Sequence, residues 1–418
     1  MLNSVIKQLR SALRHWRNPF LLLTGLAFFG IGLGVIVRLL NLQWPAKEVF
    51  DEVYFPVFAW KYLHRMDVFD VHPPLGKFLL IAGELVFGNT PLGWRIIPAL
   101  FGIANIWLFW QLGKKWGKDN VAALILAALV ALDCSLIVYS RTGLLDGIQF
   151  FFIFATFAFA LSIKTERQIF WLATLLGLAV SIKWLAIAVI VPVAYILWRK
   201  KMLPVFILSL MWTFWLYIII VYIGQVLIKV PNPWQGVEVW HQQAFNYHVN
   251  LKATHPWSSS WWSWPLMLRP VMFWYEGTAA TGIRVITSIG NPLLWWSSTV
   301  AMLYALFRLG KEFWQSKKRS ELLDHPLIPL LLGYLAFFLP WIPVNRVLFM
   351  YHYLPAYGFA LPILGYFLVE EWQTRARGVL LFLFLALLVT LFFLPLVLGW
   401  PLSPESLAQH IWVKKWLY

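Results

Sequence analysis

Eleven runs of mostly apolar residues, each 15–27 residues long, follow one another through this chain. They cover residues 18–37, 96–112, 121–138, 147–163, 168–182, 184–198, 202–228, 285–307, 326–343, 347–369 and 378–400. A helix that crosses a bilayer needs about 20 such residues. The runs are continuous and do not alternate, which excludes a transmembrane β-barrel. Hydrophobic residues make up 61% of the 418 positions and charged residues 12%, whereas soluble domains are roughly half apolar and a quarter charged. That balance excludes a water-soluble enzyme, and so much apolar surface excludes a disordered chain. The predicted fold class is an all-α polytopic membrane protein of about 11 transmembrane helices.

The net charge of +16 reads as loop bias and not as a nucleic-acid footprint. With a cytoplasmic N-terminus, the inner loops are 1–17, 113–120, 164–167, 199–201, 308–325 and 370–377. These hold 19 Lys and Arg in 58 residues, against 15 in the 144 outer residues. Cytoplasmic loops are enriched in just this way, so the C-terminus and the two long segments 38–95 and 229–284 are expected outside. The first run is not followed by a small-residue cleavage site and reads as an anchor. Residues 1–228 form an N-terminal module, and 229–418 form the second outer loop with a C-terminal four-span region. The single cysteine, Cys134, cannot form an internal disulfide.

Only 18 carboxylates are present, and six of the eleven assigned outside the cytoplasmic loops fall in 38–95: Glu48, Asp51, Glu52, Asp67, Asp70 and Glu84. Two adjacent acids among apolar neighbours, as in Phe50-Asp51-Glu52-Val53-Tyr54, are costly at a membrane surface unless paired or used. The run Asp70-Val71-His72-Pro73-Pro74-Leu75-Gly76-Lys77 follows, and its two prolines impose a rigid extended turn. Asp146 opens the fourth run, either as a helix cap or as a functional acid. Lys183 interrupts apolar sequence on the outer side, where loop bias gives no reason for a lysine and an anionic partner would. The stretch Pro256–Trp264 holds four tryptophans, which suit either an interfacial belt or a platform for sugar faces. His241, His248 and His255 recur at a spacing of seven, with Pro256 marking the end of any helix that carries them.

These residues resemble the protein O-mannosyltransferase family, in its bacterial form. The resemblance rests on Phe50-Asp51-Glu52-Val53, on the Asp70–Lys77 block, on Gly93-Trp94-Arg95, on Ser140-Arg141 through Asp146, and on Ser181-Ile182-Lys183-Trp184. Trp240-His241, Tyr247-His248, His255-Pro256-Trp257, Trp262–Leu266 and Arg269-Pro270 continue it in the same order. Tyr54-Phe55-Pro56 departs from the family's usual histidine at this place. The 56-residue second outer segment cannot hold the β-trefoil insert of eukaryotic members.

The resemblance implies a C-type glycosyltransferase architecture with short juxtamembrane helices in the first outer loop. It implies inverting transfer of a mannosyl unit from a polyprenyl-phosphate donor to Ser or Thr hydroxyls of exported proteins, at the outer face of the plasma membrane. Asp51 is then the base and Glu52 positions acceptor or sugar. Arg95, Arg141, Lys183 and Lys77 are candidates for the donor phosphate. His72, Asp146, Tyr54, Trp184, His248, Trp264 and Arg269 contact sugar or acceptor or organise the loops. Carboxylates and histidines on the outer face leave a divalent metal as an alternative, but no metal-ligand spacing is present, and the favoured expectation is no cofactor beyond the lipid-linked donor. A lipid or glycan acceptor for the same donor chemistry is the nearest alternative. A transporter or flippase is a more distant one, because no inverted repeat is visible.

Overall fold

The computed structural model describes residues 18–116, 120–316 and 322–417. The N-terminal cations Lys7, Arg10, Arg14 and Arg17 and the loop acids Asp119 and Glu321 lie outside the described residues. The helices are α1 (Pro19–Leu39), α2 (Phe55–Leu63), α3 (Leu75–Phe87), α4 (Pro91–Gly113), α5 (Val121–Leu132), α6 (Cys134–Ser140), α7 (Asp146–Ser162), α8 (Arg167–Val180), α9 (Ile190–Arg199), α10 (Leu203–Leu227), α11 (Pro233–Asn250), α12 (Pro292–Gln315), α13 (Leu327–Phe338), α14 (Leu354–Leu398) and α15 (Pro404–Gln409). Each of the eleven apolar runs carries a helix, and the protein is an all-α polytopic membrane protein. Residues Pro19–Leu39, Pro91–Gly113, Leu203–Leu227 and Met350–Leu398 are each long and apolar enough to cross a bilayer, and α5 with α6 forms a fifth such unit bent by 66°. The last two runs are merged in α14, whose path turns at Arg375 (φ −132°, ψ 48°).

The centre of the bundle is α5. All twelve of its residues are buried, as expected of a helix that is apolar on every side, and α1, α4 and α14 pack around it. Its break at Asp133 is a built feature. Inside a membrane the carbonyls freed by a broken helix need partners. Arg38 donates to the Ala131 and Val130 carbonyls at 3.1 and 2.9 Å, and the Thr390 hydroxyl donates to Leu132 at 2.6 Å. Asp133 itself caps α6 through the Leu136 amide and accepts from the Tyr357 hydroxyl at 2.8 Å and the Asn291 amide at 3.2 Å. This acid therefore ties three regions of the bundle together, and α6 delivers Arg141 to Gly143 to the site.

The first outer segment folds as a short 3₁₀ turn, Phe50–Val53, followed by α2 and α3. In the Asp70–Lys77 block, Pro74 ends the extended run and α3 begins at Leu75, whose amide donates to the Ser181 carbonyl at 3.1 Å. Gly76 is required there by space, since a Cβ would stand 2.8 Å from the Leu145 side chain.

The second outer segment departs from an all-helical reading. It contains an antiparallel ribbon, β1 (Met272–Glu276) and β2 (Arg284–Thr287), and α12, the helix of the eighth apolar run, begins at Pro292, seven residues later than that run. Phe273, Val285 and Ile286 point into the protein, and Asn291 caps α12 through the Leu294 amide. Apolarity continuous with the helix concealed a strand that is apolar because it is buried.

Candidate active site

The adjacent acids Asp51 and Glu52 face different surroundings. Glu52 is fully buried and accepts four hydrogen bonds. Arg95 gives Nε to Oε1 at 2.8 Å and a terminal nitrogen to Oε2 at 2.7 Å. The Val49 amide reaches Oε2 at 2.9 Å and the Gly143 amide reaches Oε1 at 2.6 Å. The remaining Arg95 donors go to the carbonyls of Leu42, Pro45 and Lys47. Gly143 is confined between Trp94 and Pro56, where a Cβ would stand 2.8 and 3.0 Å from their side chains. Glu52 and Arg95 thus form a bidentate pair that fastens the first outer segment to α4 and to the α6–α7 turn. Arg95 has no N–H left for a phosphate, and Glu52 has no free oxygen for acceptor or sugar.

Asp51 has no such partners among the described residues. Its carboxyl is held up at a pKa of about 7, first by burial, then against the lowering by Lys183 and with the help of Asp146 and Asp70. The residue before it, Phe50, sits in the left-handed region at φ 49°. That conformation is unfavourable for a bulky residue and persists only where the surroundings impose it. The Phe50 ring is stacked on Phe273 of β1, centroids 4.7 Å apart, and edged by Phe349 and Tyr351 at 6.4 and 6.2 Å. The ribbon of the second outer segment and the Phe349–Tyr351 stretch together hold the residue that precedes Asp51.

Opposite Asp51 is Lys183. Its ammonium donates to Asp146 at 2.8 Å and lies 5.6 Å from the Phe55 ring and 5.4 Å from the Tyr351 ring. Its own carbonyl accepts from Gln149 at 3.1 Å. An ammonium has three donors, so two are left unused among the described residues and can meet a ligand oxygen. Asp146, at the start of α7, orients this cation.

Lys77 lies elsewhere. It is fully buried, with all three donors spent on Asp70 at 2.6 Å and on the carbonyls of His72 and Pro73 at 2.6 and 2.7 Å. It organises the motif loop. Arg141 donates to the Val37 carbonyl and borders Arg95 in a small gap lined by Trp44 and Thr142.

A wall of aromatics and histidines comes from α11. Trp240 donates to the Asp70 carbonyl at 2.8 Å and joins the two outer segments. Trp184 donates to the Tyr217 hydroxyl at 2.9 Å, which donates in turn to His241 Nε2 at 2.7 Å, while His241 Nδ1 donates to the Val237 carbonyl. His248 lies 6.0 Å from the His72 ring and 5.8 Å from Trp184. Burial holds both His72 and His248 below the usual imidazole pKa, with Lys183 acting further on His72 and Arg346 on His248. These two rings are therefore neutral. α11 ends at Asn250, five residues before His255, which leaves the helical face and packs on Phe349. Among the described residues no group of three His, Cys, Asp or Glu is placed to hold a metal.

Three expected residues stand apart from this cluster. Tyr54 is 54% exposed and packs on Phe58. Trp264 is fully buried against Trp341, His352 and Tyr353, with its indole N–H on Ser259, so no sugar reaches it. Arg269 donates to the Pro256 carbonyl and covers Trp257. Tyr351, Phe273 and Gln149 join the site without any signal in the sequence. They carry no motif and enter only through folding, while Asp70 had a signal in its spacing to Lys77.

Two family models divide the chain. The dolichyl-phosphate-mannose-protein mannosyltransferase model matches residues 29–94 and 78–234, and the model of the C-terminal four-span region of protein O-mannosyltransferases matches 233–416. The chain belongs to the protein O-mannosyltransferase family. It is 26% identical over 92% of its length to the polyprenol-phosphate-mannose–protein mannosyltransferase of Mycolicibacterium smegmatis, covering 91% of that protein. The Mycobacterium tuberculosis protein of the same name is also 26% identical over 92% of this chain and 90% of its own length. In three dimensions it matches a chain of the Saccharomyces cerevisiae protein O-mannosyltransferase Pmt1-Pmt2 complex bound to the sugar donor, with a TM-score of 0.81 over 98% of this chain and 94% of that one at 17% identity. The fold is thus that of the C-type glycosyltransferases.

Proposed function

We propose that this protein transfers a mannosyl unit from a polyprenyl-phosphate donor to Ser or Thr hydroxyls of polypeptides. The active site would open on the outer face of the plasma membrane, with the N-terminus cytoplasmic and the C-terminus outside. The observation that carries the reading is the pairing of an unbonded Asp51 carboxyl with the Lys183–Asp146 ion pair, in a chain with family relatives named for this transfer.

The step is a single displacement. The acceptor oxygen attacks the anomeric carbon while Asp51 takes its proton. The bond from that carbon to the phosphate oxygen breaks on the opposite face, and the polyprenyl phosphate leaves with the electron pair, inverting the centre. A base is most effective with a pKa near the working pH, and about 7 meets that requirement. Phosphate is a good leaving group without protonation. The catalytic demand on the far side is charge stabilisation, which the two free Lys183 donors supply. Glu52, Arg95, Asp70 and Lys77 position the first outer segment and touch no reacting atom. His72, His248 and Trp184 line the side where the sugar lies, as neutral donors, acceptors and a flat apolar face.

The test is transfer by the purified protein from labelled polyprenyl-phosphate mannose to a Ser/Thr peptide and, separately, to lipid acceptors. Label on the peptide, lost in Asp51→Asn, supports the reading. Label only on lipid, or undiminished transfer by that variant, would overturn it.

A further inference from the structure

Beside this site lies a cavity of about 460 Å³ that the reaction does not use. Its walls are the Ser258–Ser263 run, Leu268, Arg269, Lys415 and parts of the Ile342–Leu348 stretch, held together where the Ser259 amide donates to the Leu348 carbonyl at 2.8 Å. Arg269, Arg346 and Lys415 supply three positive charges, and no carboxylate lines it among the described residues. Arg346 is half-buried, and its one hydrogen bond among the described residues is a 3.5 Å contact to the Val347 carbonyl. Lys415 is exposed and takes part in none of the ion pairs among the described residues. A half-buried guanidinium without a carboxylate partner is unfavourable until an anion arrives. Serine hydroxyls line the same walls, and the exposed Trp262 and Ile342 add apolar surface. That mixture suits a peptide better than a bare phosphate.

The cavity communicates with the reaction site through its own wall. Leu348 leads through Phe349 to Tyr351, whose ring lies 5.4 Å from the Lys183 ammonium. Phe349 is extended (φ −136°, ψ 157°) and Tyr351 lies in the 3₁₀ turn Met350–Tyr353, so this wall covers roughly 8–9 Å, about the reach of three extended residues of an acceptor chain. A chain whose hydroxyl sits at Asp51 would therefore bring side chains about three to four positions away into the cavity. We propose that the cavity binds acidic side chains flanking the acceptor hydroxyl, so that Ser or Thr sites with Asp or Glu about three to four residues away are preferred. This rests on the polypeptide-acceptor reading above.

Matched peptides that differ only by Asp/Glu against Asn/Gln at those positions test it. With labelled polyprenyl-phosphate mannose at low salt, kcat/KM should be about five- to tenfold higher for the acidic peptide, and the ratio should shrink in 0.5 M salt because charge interactions are screened. Lys415→Gln should roughly halve the preference, and the Arg346→Gln/Lys415→Gln pair should bring it near one. The exposed Lys415 serves as the variant least prone to misfold. Equal kcat/KM for the two peptides, or a preference that survives both substitutions, overturns the proposal. So does an equal rise in donor KM with either peptide, which would assign the cavity to the donor phosphate. No transfer to either peptide refutes instead the polypeptide acceptor itself.

Discussion

Glu52→Gln and Asp51→Asn are chemically the same change one residue apart, and the site geometry predicts opposite outcomes. The Glu52 carboxylate accepts from Arg95 twice, from Val49 and from Gly143. A glutamine amide turned either way points its NH₂ at two of those four N–H donors and leaves Arg95 as a buried cation without a counter-charge. Removing one member of a buried pair costs about 3–5 kcal/mol. With an unfolding entropy of about 2.1 cal/mol/K per residue, a chain of 418 residues should lose about 3–6 °C in Tm. Asp51 breaks no bond when it becomes asparagine. Its raised pKa means that the folded protein holds the proton more tightly than the unfolded chain. Its contribution to stability is therefore present at low pH and lost as pH rises through about 7. Asp51→Asn should melt at or slightly above the parent at pH 8 and yet lose transfer by more than about 100-fold. The assay is a thermal melt of detergent-purified protein at pH 8 beside single-turnover transfer. A Glu52→Gln protein that melts with the parent, or an Asp51→Asn protein that melts several degrees lower, would refute this division of roles.

The same pKa predicts that kcat/KM falls about tenfold per pH unit below about 7 and levels off above it. A pH–rate profile flat from 5.5 to 8 would contradict it. Lys183→Gln should lower kcat by about 100–1000-fold, with Asp146→Asn less severe because the cation remains, both read from transfer rates at saturating donor. Phe273→Leu removes one of the rings that hold Phe50 at positive φ. It should reduce kcat about 3–10-fold, an amount set by a stacking energy of about 1 kcal/mol, with little change in Tm. Trp264→Ala should destabilise by about 3–5 kcal/mol and leave donor KM unchanged in the folded fraction, whereas a rise in donor KM would return Trp264 to the sugar site.

Membership of the membrane class, the eleven helical runs, the acids in the first outer segment and the motif order were all determined by the sequence alone. Length and apolarity of a run dictate a helix in lipid, and a chain with 18 carboxylates allows each to be weighed. What adjacent residues do with the same chemistry was decided by tertiary structure. Local pattern does not tell Asp51 from Glu52, whose roles the sequence separates only through the family resemblance, and a 3₁₀ turn sends Glu52 to Arg95 and Asp51 towards Lys183. The cations Arg95, Lys77 and Lys183 are equally plausible for phosphate until their donors are counted. Two prove fully committed to protein oxygens, and Lys183 keeps two donors free. The contacts that make this difference, Phe50 on Phe273 and Tyr351 beside Lys183, join residues more than 150 positions apart. No local pattern encodes such pairs, because hydrogen-bond satisfaction and ring packing belong to the assembled bundle.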